Sequence, residues 1–389
     1  MIPYGRQSIN DADIEAVVAV LKSDYLTQGQ AVPAFEQGLA DYCQVPHVVA
    51  CSNGTTALHL ACAVLDIGAK DTVWVSAVSF VASANCVRYC NANVDFVDVD
   101  PATGNLDVVA LDKKLQQAVR THSLPKALIA VHLAGQPCDL EEIGALCRQY
   151  GIVLIEDACH ALGAHYQGSP IGSCRHSDMT VFSFHPVKPI TTAEGGAITT
   201  RDPELAAKLR LYRSHGITRD PQALLMPSPG EWYYEQQLLG FNYRLTDIQA
   251  ALGLSQLSRL DQFITQRREL ARRYDALLSL LPVQQLQQLQ QLQQLQQSNN
   301  RQSGYHLYVI QVAERDQVFA RLRAAGIGVN VHYIPIPAQP YYRGLGHDPA
   351  AYPGAQAYYQ GAISLPLFPA LTLSEQQQVV DVLEQALCG

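Results

Sequence analysis

The sequence predicts an α/β fold, with a mostly parallel sheet flanked by helices and a smaller α+β unit towards the C-terminal end. Three observations carry this. Short, β-branched and nearly continuous apolar runs recur up to Ile155, and such runs read as strands buried on both faces of a parallel sheet. Most are separated by segments long enough for a helix, which places helices on both sides of the sheet. At 389 residues the chain is also long enough for two packed domains.

The elements follow in order. Asn10 can cap a helix whose apolar residues Ile14, Val17, Val18 and Leu21 fall at helical spacing, and Phe35, Leu39 and Tyr42 mark a second helix. The strand runs are His47-Val48-Val49-Ala50-Cys51, Thr72-Val73-Trp74-Val75, Val94-Asp95-Phe96-Val97, Ala127-Leu128-Ile129-Ala130-Val131 and Ile152-Val153-Leu154-Ile155. Residues 252–260, continuing towards Leu281, read as one long helix leading out of the sheet domain. In residues 284–297 leucine recurs every third position between glutamine pairs. That period drifts around a helix and leaves no fixed apolar stripe, so the tract reads as a low-complexity insertion. Beyond it, His306-Leu307-Tyr308-Val309-Ile310, a helical pattern over 317–325 and Ile363-Ser364-Leu365 suggest the smaller unit. The division predicted is a large domain over 1–253 and a small one over 254–389.

Composition excludes several classes. A net charge of −8 with no basic block argues against nucleic-acid binding, which needs clustered Lys and Arg. The N-terminus lacks the layout of a signal peptide, and no apolar run approaches the roughly 20 residues that span a bilayer. A cytoplasmic protein without a membrane partner is the expectation. The ten cysteines are scattered. Cys86 and Cys90 are close, but no second pair completes a metal site, so reduced, buried thiols are expected and no metal.

Residues 152–200 carry the chemistry. One strand ends in Glu156-Asp157, placing carboxylates at the carboxyl edge of the sheet, where open α/β sheets bind ligands. After a further strand, Thr180-Val181-Phe182-Ser183-Phe184, comes His185-Pro186-Val187-Lys188-Pro189-Ile190-Thr191-Thr192-Ala193-Glu194-Gly195-Gly196. A lysine on a rigid, mostly uncharged loop suits Schiff-base chemistry, because desolvation frees its amine as a nucleophile. On its own Lys188 reads more readily as an ordinary solvated lysine. Asp157 suits the acid that faces a pyridine nitrogen, or else the cap of a helix starting near Ala158. Ser52-Asn53-Gly54-Thr55-Thr56-Ala57-Leu58 follows a strand and opens a helix, which gathers N–H groups and hydroxyls for an anion. Ser183 either adds a phosphate hydroxyl or is an ordinary strand residue.

Lys188 with its neighbours, Glu156-Asp157-Ala158-Cys159-His160-Ala161-Leu162-Gly163-Ala164 and Gly240-Phe241-Asn242-Tyr243-Arg244-Leu245 together resemble the DegT/StrS family of sugar aminotransferases. The match runs from Leu26-Thr27-Gln28-Gly29 through His332-Tyr333-Ile334-Pro335 to Leu365-Pro366, leaving out the Gln/Leu tract. The resemblance implies the aspartate-aminotransferase fold, a homodimer whose active sites draw on both subunits, and pyridoxal 5′-phosphate as cofactor. It implies that Lys188 forms the Schiff base and Asp157 pairs with the pyridinium nitrogen. Gly54, Thr55, Thr56 and Ser183 would hold the phosphate, with Asn242 reaching it from the neighbouring subunit. Phe80 would stack on the ring. His160 stands beside the ring hydroxyl, where much of the family has glutamine.

A narrower resemblance is to the subgroup serving pseudaminic acid synthesis, which shares Phe182-Ser183-Phe184-His185, residues 188–196, His160-Ala161-Leu162-Gly163 and Ser214-His215-Gly216. It implies amination at C4 of a UDP-linked 2-acetamido-2,6-dideoxy-4-hexulose. L-Glutamate would be the donor, and the cofactor would pass through its pyridoxamine form. Tyr4, Leu26, Thr27, His185, His332, Tyr333 and Pro335 match positions lining the sugar-nucleotide pocket, although residues such as Tyr4 and His332 also suit plain packing. A TDP or GDP carrier is the near alternative. A dehydratase on this fold would carry histidine in place of Lys188. A cofactor-sensing regulator would add a DNA-binding module, and a dinucleotide dehydrogenase would show Gly-x-Gly-x-x-Gly after its first strand.

Overall fold

The computed structural model describes residues 1–279, 281, 283–285 and 300–388. A seven-stranded sheet runs laterally in the order His47–Cys51, Gly196–Thr200, Met179–Ser183, Val153–Asp157, Ala127–Val131, Thr72–Ser76, Asn93–Val97. All five predicted runs are in it. The five strands from Met179–Ser183 to Asn93–Val97 are mutually parallel, and Gly196–Thr200 runs antiparallel to both neighbours. The carboxyl ends of six strands therefore share one edge. Alternate side chains feed two cores: Val49, Val75, Ile129, Ile155, Val181 and Ile198 pack on one face, and Ala50, Trp74, Leu128, Leu154, Phe182 and Ala197 on the other. Burial on both sides explains why these runs are continuously apolar.

A second, three-stranded antiparallel sheet pairs Gln284–Gln285, Tyr308–Gln311 and Ala362–Leu365. Ile310, Ile363 and Leu365 share a core with Tyr274, Val318, Val379 and Leu383 from three helices, and with Ile2. The α+β character read from the sequence is present. Of the Gln/Leu tract, residues 286–297 lie outside the described residues.

Two expectations are corrected. The long helix is two, Asp247–Leu257 and Leu260–Leu278. The chain bends at Ser258-Arg259, where Ser258 Oγ bonds Ser255 O at 2.7 Å and Arg259 turns back to an ion pair with Asp13. The helix Asp11–Leu21, capped by Asn10 as predicted, is packed the other way round. Asp13 is fully buried against Ser255 and Gln256, whereas Ile14 and Leu21 are 54% and 55% exposed. Satisfying one buried carboxylate with three partners settles which face turns inward.

Among the described residues no helix is long and apolar enough to cross a membrane, and no cluster of ligands suits a metal ion. Cys43, Cys51, Cys62, Cys86, Cys138, Cys147 and Cys174 are free and buried, and Cys90 and Cys159 are free and half-buried.

Candidate active site

A cavity of about 650 Å³ opens at the shared carboxyl edge. Three chain turns make its floor. The first follows His47–Cys51. Gly196 lies in register between Cys51 and Ser183, and a side chain there would sit 2.4 Å from Asn53 O. Its absence lets the helix Gly54–Ala63 start directly over the sheet edge. Gly54 is equally constrained, since a Cβ would approach Ser183 Cβ to 2.8 Å. Asn53 Oδ1 accepts Thr56 N–H at 2.8 Å, which leaves the amides of Gly54 and Thr55 without intrahelical acceptors.

The second turn follows Val153–Asp157. Neighbouring strand residues point to opposite faces, and this separates the two carboxylates. Glu156 enters a buried network with His132 Nε2 at 2.8 Å and Thr180 Oγ1 at 3.1 Å. His132 Nδ1 accepts Cys138 N–H at 3.0 Å, so its proton is on Nε2, facing Glu156. Asp157 turns into the cavity and is 5% exposed. Ser83 Oγ donates to its Oδ2 at 2.6 Å and Cys159 N–H to its Oδ1 at 3.2 Å. Among the described residues it has no ion pair. No helix starts at Ala158, which removes the capping role.

The third turn carries Lys188. Its N–H bonds His185 O at 2.9 Å, and the loop is closed by Thr191 Oγ1 and Thr192 N–H, both 3.0 Å from Phe184 O. Burial holds the Lys188 amine below the ordinary lysine value, with Cys159 and Asp157 acting in the opposite direction. A lysine lining a cavity and so depressed gives up its proton more readily than an exposed one, which suits a nucleophile.

The roof is remote in sequence. Tyr4, Asn330, His332 and Tyr333 close over the floor. His160 joins the two: its Nδ1 accepts Ala134 N–H at 3.3 Å, so its Nε2–H faces Tyr333 Oη at 3.1 Å. Burial, and then the nearby Lys188, keep this imidazole neutral. His332 is neutral for the same two reasons, pushed down to about 3. Both its nitrogens are engaged, Nδ1 with Ser364 Oγ at 2.8 Å and Nε2 with Asn330 Nδ2 at 3.3 Å. It offers the cavity a ring face, on which Tyr4 packs with centroids 5.4 Å apart. Phe80, 57% exposed at the cavity wall 6.1 Å from the Tyr333 ring, is no core residue.

The structure thus gathers Tyr4, Gly54, Thr55, Phe80, Asp157, His160, Ser183, His185, Lys188, His332 and Tyr333 around one space. Five proposed residues are not on it in this chain. Thr56 is diverted into the helix cap, its hydroxyl accepting Asn53 N–H at 3.1 Å and donating to Asn53 O at 2.8 Å. Leu26, Thr27 and Asn242 lie exposed elsewhere, and Pro335 is buried beside the cavity wall. Sequence reasoning missed Ser79, Ser83, Cys159, Glu194 and Asn330, all of which line the cavity. The four-residue spacing of Ser79 and Ser83, at the mouth of the helix Ala82–Tyr89, was the available signal for two of them.

Pyridoxal phosphate fits these groups. A buried acid without a cation suits a pyridinium, a depressed lysine suits an aldehyde, and the tight Gly54–Ser183 approach under a helix start suits a phosphate.

Comparison with known proteins agrees. The sequence matches the DegT/DnrJ/EryC1/StrS aminotransferase family over residues 7–384. It is 34% identical to the UDP-4-amino-4,6-dideoxy-N-acetyl-beta-L-altrosamine transaminase of Campylobacter jejuni serotype O:23/36, over 98% of this chain and 96% of that one. It is 38% identical to the GDP-perosamine synthase of Caulobacter vibrioides, over 92% and 91%. Among solved structures, Helicobacter pylori PseC, an aminotransferase involved in the biosynthesis of pseudoaminic acid, superposes with a TM-score of 0.87 at 30% identity, covering 99% of both chains. The sugar aminotransferase Spr1654 of Streptococcus pneumoniae in its PMP form gives 0.88 at 30% identity, again covering 99% of both. The chain is a pyridoxal-phosphate-dependent sugar aminotransferase of the DegT/DnrJ/EryC1/StrS family.

Proposed function

We propose that the enzyme moves the amino group of L-glutamate to C4 of a UDP-linked 4-keto-6-deoxy-N-acetylhexosamine, the aminotransfer step of pseudaminic acid synthesis. The observation that carries this is the pairing of a cofactor floor with a roof of aromatic and neutral rings (Tyr4, His332, Tyr333) over about 650 Å³. Flat apolar faces flanked by single donors suit a sugar ring better than a dicarboxylate. The named activities of the Campylobacter and Helicobacter relatives support the substrate. One specific observation favours a second reading, a GDP-linked keto-sugar, because identity to the perosamine synthase is 38%.

Gly54, Thr55 and Ser183 hold the cofactor phosphate, Asp157 holds the ring-nitrogen proton, and His160 Nε2–H is the donor beside the ring hydroxyl. The bound cofactor supplies an electron sink for the carbanion formed at the amino acid's α-carbon. Lys188 Nζ, its hold on a proton loosened by burial, takes the α-proton of the donor and later delivers a proton to C4 of the sugar.

The reading includes a cytoplasmic homodimer with two domains per chain, divided near 253/254. Asn242, Leu26 and Thr27 are exposed and stand free to complete the cavity of a second copy. The test is a product assay with isotope-labelled glutamate. Label appearing on the UDP-sugar, and not on a GDP-linked 4-keto-sugar, supports the proposal; the converse establishes the second reading.

A further inference from the structure

Asp157 is nearly inaccessible and has no ion pair among the described residues, so its charge depends on hydrogen-bond donors. It has two. The Cys159 amide at 3.2 Å is long, and the Ser83 hydroxyl at 2.6 Å is short. Ser83 has one proton and three neighbours to consider: Asp157 Oδ2 at 2.6 Å, Ser79 Oγ at 2.6 Å and Phe80 O at 3.2 Å. The charged acceptor wins that proton, since charge-assisted bonds are roughly twice as strong. Ser79, itself buried, must then donate to Ser83 Oγ. The hydroxyls line up in one direction, Ser79 to Ser83 to Asp157, and each polarises the next.

We infer that Ser83, backed by Ser79, is a positioning residue that holds the Asp157 carboxylate turned to the cavity. This rests on the reading that Asp157 pairs with the cofactor's ring nitrogen. Neither serine needs to touch the cofactor for the effect to reach it. Lys188 from the third turn, Cys159 from the second and Tyr333 from the roof also face Asp157.

The test is the affinity of the cofactor-stripped full chain for pyridoxal phosphate. Ser83→Ala should weaken binding roughly tenfold or more at neutral pH. Ser83→Thr, which keeps the hydroxyl, should restore affinity to within a few-fold, and Ser79→Ala should move it a few-fold in the weakening direction. An affinity for Ser83→Ala equal to wild type while Asp157→Asn is impaired, or a Ser83→Thr variant as weak as Ser83→Ala, overturns the inference and leaves the Asp157 reading standing. An Asp157→Asn variant that binds normally overturns both. Should Ser83→Ala fail to fold, Ser83→Cys, nearly isosteric with a weak donor, takes the same comparison against Ser83→Thr.

Discussion

The cavity floor comes from three turns at one edge of one sheet, each within a few residues of a strand end, and all lie between Asn53 and Lys188. The roof comes from Tyr4 and residues 330–333, carried there by the small sheet, where Asn330 bridges Ser364 and Tyr358 Oη bonds His332 O at 2.8 Å. The floor holds the groups that any transamination with this cofactor needs: an amine, an acid and an anion cradle. The roof holds rings whose polar atoms are mostly engaged within the protein. Chemistry and substrate choice are thus built on separate parts of the fold, and floor and roof should fail differently when altered.

The largest effect belongs to the floor. Lys188→Ala should lower turnover by at least about 10³-fold and remove the visible band of lysine-bound cofactor, checked by steady-state kinetics and absorption. The half-reaction with glutamate and that with the sugar should fall together. Tyr333→Phe strikes the roof, removing the partner of His160 Nε2–H. A roughly tenfold loss in kcat/KM for the sugar is expected, with the glutamate half-reaction changed far less. Equal losses in both half-reactions would erase the distinction.

Stability should sense the histidines that floor and roof share. Burial, reinforced by neighbouring cationic groups, holds His160, His306 and His332 below 6.5, the last at about 3. The unfolded chain therefore binds protons that the folded chain refuses. Stability is complete above about pH 6.5 and is lost as pH falls, by up to about 1.4 kcal/mol per unit for each histidine. Denaturant unfolding between about pH 6.5 and pH 5 should show this slope, and His306→Gln should flatten it by about one histidine's share. The smallest effect is expected at Thr56. If its hydroxyl serves the helix cap, Thr56→Ala should cost about 1 kcal/mol in stability and leave pyridoxal phosphate affinity within about twofold.

What could be read from the sequence divides along the same line. Five strands, the Asn10 cap, Lys188, Asp157 and the Gly54 helix start were legible because each is set by a local pattern. The inward turn of Asp13 was not, since it depends on Ser255, Gln256 and Arg259, some 240 residues away. Nor could the sequence show that Glu156 and Asp157 part company, or that His332 spends both nitrogens on Asn330 and Ser364. Ser79 and Ser83 were legible as a spacing and illegible as a site, because their meaning comes from the carboxylate they meet.

The central claim, that Lys188 and its floor hold pyridoxal phosphate ready to take an amino group from glutamate, is tested most directly by one absorption experiment. The purified protein should show a yellow band that bleaches when L-glutamate is added, as the cofactor passes to its pyridoxamine form. A protein that stays colourless after incubation with pyridoxal phosphate, or a band that glutamate leaves untouched, would contradict the account.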